Sequence, residues 1–176
     1  MWENANLRQA TEHDATALSE LAARLFQQTF GAHNTADDMR DYLASAFTPA
    51  RQRTELADSR RVVFLVELSD GSLGAYASLA RGKMHDDIDA KQPAEIERIY
   101  VDQSLHGKRV GELLMNACVR QAVEWGSDVL WLAVWERNPR AIAFYEKSGF
   151  RKVGLQTFQL GSDAQHDFVM ARFLSS

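Results

Sequence analysis

The sequence predicts a single α/β domain spanning residues 1–176, on three observations. The chain has 176 residues, the size of one fold. Its hydrophobic pattern switches several times between helical and extended spacing. At its centre a strand, a short glycine-bearing loop, a helix and another strand follow one another without a linker. The composition agrees, since 45% hydrophobic and 25% charged residues with only 3 prolines describe a packed core rather than a collagenous or disordered chain.

The elements can be justified in order. Leu18, Leu21, Ala22, Leu25 and Phe26 form one apolar stripe of a helix. A second helix is expected over Thr35–Phe47, with Thr35 as N-cap and Asp37 and Asp38 at the positive end of its dipole. Val62–Val66 and Leu73–Ala80, separated by Ser69-Asp70-Gly71-Ser72, read as a hairpin. Arg81–Pro93 is a polar loop, and Ile96–Val101 is the next strand. Simple alternation there puts Glu95, Glu97, Ile99 and Val101 on one face, and Ile96, Arg98 and Tyr100 on the other. Val110 to Trp125 carries the clearest helical stripe, stopped by Gly126. Val129–Trp135 is a strand. Asn138-Pro139 then offers an N-cap followed by proline at the first helical position, and Gly149 ends that helix. Strands around Lys152–Leu160 and Asp167–Phe173 close the chain.

Several function classes are disfavoured. A net charge of −4 argues against a nucleic-acid footprint. The one cysteine, Cys118, leaves no disulfide and no thiol cluster, and the five histidines show no helical metal spacing, so no metal is expected. The N-terminal residues lack the pattern of a secretory signal, and no apolar run is long enough to span a bilayer. The expectation is a cytoplasmic protein with no membrane or nucleic-acid partner.

Two segments can carry chemistry. The first is the loop His106-Gly107-Lys108-Arg109-Val110-Gly111-Glu112 at a helix start. Unpaired amides and a partial positive charge suit a phosphate there, although the same glycines also serve a plain tight turn. It is neither a Gly-x-Gly-x-x-Gly run nor a Gly-Lys-Ser/Thr phosphate loop. The second is the helix opened by Asn138, in which Tyr145 follows seven residues later on the same face.

The run Asn138-x-x-Ala141-x-x-Phe144-Tyr145-x-x-x-Gly149-Phe150, placed after that strand, glycine loop and helix, resembles the GNAT N-acetyltransferases. Ile99-Tyr100-Val101, Val134 to Asn138 and Leu160 to Asp167, together with Thr29-Phe30, His33-Asn34-Thr35 and Tyr42-Leu43, are similar to the PaiA-type polyamine N-acetyltransferases within that family. The resemblance implies a mixed, mostly antiparallel central sheet with helices on both faces. It also implies acetyl-CoA as cosubstrate and a small-molecule amine as acceptor, most specifically a polyamine such as spermidine or spermine.

Roles follow from the same resemblance. His106, Gly107, Lys108, Arg109, Val110, Gly111 and Glu112 would hold the pyrophosphate. Arg109 stands where the family usually has its middle glycine, whereas Gly111 keeps the last. The backbone of Ile99, Tyr100 and Val101 would pair with the pantetheine, and Asn138 would bond it. Tyr145 is the expected general acid and Glu97 the chosen base, acting through water. Phe30, His33 and Asn34 are acceptor-binding candidates. Cys118 lies on an apolar stripe and is rejected as a nucleophile. A peptide amine as acceptor, and a non-catalytic coenzyme A sensor, are the rival readings, and a homodimer stays open as an assembly.

Overall fold

The computed structural model describes residues 4–175. In chain order the elements are β1 (Asn6–Gln9), α1 (Ala15–Phe30), α2 (Ala36–Ala46), α3 (Pro49–Ala57), β2 (Arg61–Glu67), β3 (Leu73–Arg81), β4 (Pro93–Val101), α4 (Val110–Glu124), β5 (Val129–Trp135), α5 (Pro139–Lys147), β6 (Arg151–Leu160) and β7 (Asp163–Phe173). Seven strands make one sheet in the order β1-β2-β3-β4-β5-β7-β6. All neighbours are antiparallel except β4 and β5, which run parallel through the α4 crossover.

Helices cover both faces because both faces of the sheet are apolar. Ala75, Ala77 and Leu79 of β3, Ile96 and Ile99 of β4, and Leu130 and Leu132 of β5 share one core with Leu114 and Cys118 of α4 and Tyr145 of α5. Val63, Leu65, Tyr76 and Tyr100 on the opposite face pack with Leu18, Leu25 and Phe26 of α1 and Met39 of α2. The expected caps are in place. Thr35 accepts the Asp38 amide at 3.1 Å, and Asn138 accepts the Ala141 amide at 3.2 Å.

Two elements carry little sequence signal. β1 is a four-residue edge strand, and α3 buries only Gln52, so neither has a hydrophobic stripe to announce it.

The strand that matters most departs from simple alternation. Arg98 pairs with Ser78 and Ile96 with Leu79, which leaves Glu97 as an extra residue opposite neither. This bulge reverses the faces beyond it, so Ile96 and Ile99 lie on the α4 side, while Glu95, Arg98 and Tyr100 point to the α1 side. The expectation that Glu95 shares a face with Ile99 and Val101 is therefore corrected by one inserted residue.

Candidate active site

The bulge has a second effect. β4 and β5 pair only at Pro93–Val129, Ala94–Leu130 and Glu95–Trp131, and then part. From Ile96 to Val101 on one strand and Leu132 to Trp135 on the other, the facing edges have no strand partner, and a cavity of about 1030 Å³ opens between them. Unpaired amides and carbonyls along a strand edge are a template for an extended ligand, which binds as an added strand.

Around this cleft the fold collects most of the residues named from the sequence. Ile99, Tyr100, Val101, His106, Gly107, Arg109, Val110, Gly111, Glu112, Asn138, Tyr145, Glu97, Phe30 and His33 all line the cavity. Lys108 and Asn34 are not in its wall. The Lys108 amide closes the turn onto the Leu105 carbonyl at 3.3 Å. Asn34 donates to the Phe30 carbonyl and accepts from Gln165, so its side chain is spent on the fold.

The loop before α4 has the shape of an anion cradle. Gly107 has φ 78° and Arg109 φ 63°, so two residues of the turn are left-handed. Among the described residues Arg109 is the one non-glycine side chain held there. The α4 ladder begins with the Leu113 amide on the Arg109 carbonyl, so the amides of the first turn are not consumed by the helix. Arg109 turns its guanidinium onto Glu112 at 2.9 Å. A side chain at Gly111 would start 3.3 Å from the Phe144 ring, which shows how closely the start of α4 packs on α5.

Tyr145 is buried, 8% exposed, beside Phe144 and Phe150. Burial, followed by the neighbouring Tyr100 and Cys118, pushes its phenol well above the usual range, so it stays protonated at neutral pH. Cys118 is fully enclosed and burial pushes its thiol up to about 12, which leaves no thiolate to act as a nucleophile.

The carboxylates fall into two groups. Glu97 accepts from Arg61 at 2.7 and 3.2 Å, and Glu55 accepts from Arg98 at 2.8 Å. Glu95 and Asp167 line the same cavity with no ion pair among the described residues. Burial, and then the Glu97 carboxylate, push Glu95 up to about 7. Burial also raises Asp167 to about 6, against the opposing hydrogen bond of Gln156. Neither residue was singled out from the sequence. The signal for Glu95 lies in the bulge and its desolvation, which no local pattern shows. The rest of the chamber is aromatic: Phe26, Phe30, Tyr42, Phe47, Trp135 and Phe158 line it, with Phe30 5.3 Å from Trp135 and His33 edge-on to Trp135 at 5.2 Å.

Residues 17–150 match the model of the Acetyltransferase (GNAT) family. The chain belongs to this family. An uncharacterized N-acetyltransferase of Mycobacterium bovis is 34% identical over 161 residues, 92% of this chain and 98% of that protein. A second uncharacterized N-acetyltransferase, from Lactobacillus delbrueckii subsp. lactis, is 29% identical over 94% of this chain and 95% of its own length. In fold, the chain is similar to the PaiA N-acetyltransferase of Thermoplasma acidophilum, solved in complex with coenzyme A. The TM-score is 0.77 at 17% identity, over 97% of this chain and 99% of that one. This GNAT protein is thus an N-acetyltransferase built on one mixed, mostly antiparallel sheet. No helix among the described residues is long and apolar enough to cross a membrane, and no group of three or more metal-ligating side chains gathers among them.

Proposed function

We propose that this N-acetyltransferase acetylates a primary amine of a small molecule, a polyamine such as spermidine or spermine, by direct attack within a ternary complex. The observation that carries the reading is the parting of β4 and β5 beyond Glu95, which brings a strand edge, a glycine-bearing loop at a helix start and a buried phenol to one cleft.

The cosubstrate supplies an activated thioester. Amides at the head of α4, with His106, Gly107, Arg109 and Gly111 in the wall, would hold its pyrophosphate. The free edge at Ile99–Val101 would take the pantetheine as a short added strand and aim an amide at the carbonyl oxygen where negative charge develops. The Oδ1 of Asn138 caps α5, and its NH2 group remains for the same arm.

Two protons must move. An amine arrives as an ammonium ion and has to lose one proton before it can attack, and the departing sulfur must gain one. Glu95, with a pKa of about 7, is partly ionised at neutral pH and suits the first task. Glu97 is held by Arg61, so the base assignment moves from it to Glu95. Tyr145, protonated and buried, suits the second. Base and acid are thus driven apart by their surroundings.

Acetyl-CoA should raise the melting temperature by mass action, and thiol release should appear with spermidine or spermine. A melting temperature indifferent to millimolar acetyl-CoA would refute the cosubstrate site. Turnover of peptides in preference to polyamines would refute the acceptor.

A further inference from the structure

Beside the main cavity lies a second, smaller one of about 90 Å³, and His33, Trp135 and Arg137 belong to the walls of both. Its remaining wall comes from Glu136 and from the start of β7, including Asp163 and Gln165. We infer that this side pocket holds the second, non-reacting ammonium group of an aliphatic diamine or polyamine acceptor. The inference rests on the acetyl-transfer reading and assigns this site a further task.

The argument begins with Gln165. It is 6% exposed, and its Oε1 is buried with no hydrogen-bond donor, although each such orphan acceptor costs stability. The amide cannot be turned round to cure this. Its Nε2 donates to Asn34 Oδ1 at 2.7 Å and to Asp163 Oδ2 at 2.9 Å. Asn34 is itself fixed, because its Nδ2 donates to the Phe30 carbonyl at 2.8 Å. Both partners of Gln165 are therefore acceptors, the NH2 group must face them, and Oε1 is left to accept from something the chain does not supply.

Charge says what that something is. The pocket carries two carboxylates, Glu136 and Asp163, against the one guanidinium of Arg137, and neither carboxylate makes an ion pair among the described residues. Trp135 and His33 complete the wall on the side of the main cavity. A group with several N–H donors and a positive charge satisfies the amide oxygen and the carboxylates together, which an uncharged hydroxyl or a carboxylate ligand does not. An ammonium ion held here lies beside the chamber proposed for acetyl transfer, since His33, Trp135 and Arg137 line both cavities, so the ligand that fits is one with amino groups at two places along an aliphatic chain.

The test compares butylamine and putrescine, which share a four-carbon chain and carry one and two amino groups, and adds the longer triamine spermidine. Using the full chain and acetyl-CoA, kcat/KM is measured for putrescine, spermidine and butylamine with the parent, Glu136→Gln and Gln165→Leu. The expected parent preference for the di- and polyamine is about tenfold or more, the size of one charge-assisted hydrogen bond. Both variants should reduce that preference ratio several-fold, mainly through KM. Glu136 is exposed, so its variant guards against misfolding of the Gln165 variant. Calorimetric binding of spermidine to the CoA-loaded protein reads the subsite without turnover. Weaker binding in both variants supports the subsite even if no amine is acetylated, a result that would refute the proposed function alone. A parent ratio near one, equal losses on mono- and diamines, or spermidine binding untouched by either variant overturns the inference.

Discussion

Replacing Glu95 by Gln should make the protein more stable and less active, and the stability gain should depend on pH. Glu95 stands on the cavity wall where β4 and β5 part, and burial lifts its carboxyl from an ordinary 4.5 to about 7. A folded-state pKa above the unfolded one means that folding favours the protonated form. Its contribution to stability is complete below about 4.5 and is lost as pH climbs to about 7. At about 1.4 kcal/mol for each tenfold change in proton affinity, the loss is at most roughly 3 kcal/mol, and closer to 1 if the wall relaxes and admits water. Gln has the same shape and never ionises. Urea melts at about pH 5 should therefore place variant and parent close together, while at about pH 8 the variant should be more stable by roughly 1–3 kcal/mol. Turnover should fall by about 10²–10⁴, and the limb of the rate profile near pH 7 should vanish. A variant that keeps the parent's rate, with a stability difference that is the same at both pH values, would refute the assignment of Glu95 as base and the desolvation argument behind it.

Other outcomes test the remaining parts of the site. Tyr145→Phe should lower kcat by about 10²–10⁴ while leaving CoA affinity and melting temperature near the parent's, because only a hydroxyl is lost; full turnover with chemistry rate-limiting would make Tyr145 a packing residue. Gly111→Val should weaken CoA binding measured by calorimetry by about tenfold or more, since its branched side chain meets the Phe144 ring and shifts the head of α4; unchanged affinity would remove the loop from the site. Arg109→Gly should relieve a left-handed strain of about 1–2 kcal/mol, offset by glycine's extra freedom in the unfolded chain, for a net gain under about 1 kcal/mol in thermal melts. A clear loss of stability would show that the exposed Arg109–Glu112 pair contributes more than such pairs usually do.

Much of the fold was legible because its signals are local. The stripe of α4, the Thr35 cap of α2 and the Asn138-Pro139 start of α5 each depend on residues within one or two turns, and each stands where spacing put it. The same spacing brought Asn138 and Tyr145 to one cleft. β1 and α3 escaped because an edge strand of four residues and a helix burying one glutamine leave no apolar period. At β4 period-two reasoning failed for a different cause. The bulge at Glu97 is a property of its pairing with β3, and no residue in Glu95-Ile96-Glu97-Arg98 marks it. The proposal of Glu95 rather than Glu97 as base rests on contacts of the same long-range kind: Glu97 meets Arg61 of β2, 36 residues away, and the desolvation of Glu95 is made by elements far apart in the chain.

The short seam between β4 and β5 also has a mechanical meaning. β1 to β4 form one plate and β5 to β7 another, and only three residue pairs stitch the two together. The α4 crossover links them from one side, where Leu114 and Cys118 share one core with Ile96 and Leu130. A ligand lying along the open stretch would lend the hydrogen bonds that the seam lacks and so fasten one plate to the other. Amide exchange in β4 beyond Ile96 and in β5 beyond Leu132 should then slow together on loading, as a single cooperative event across the gap.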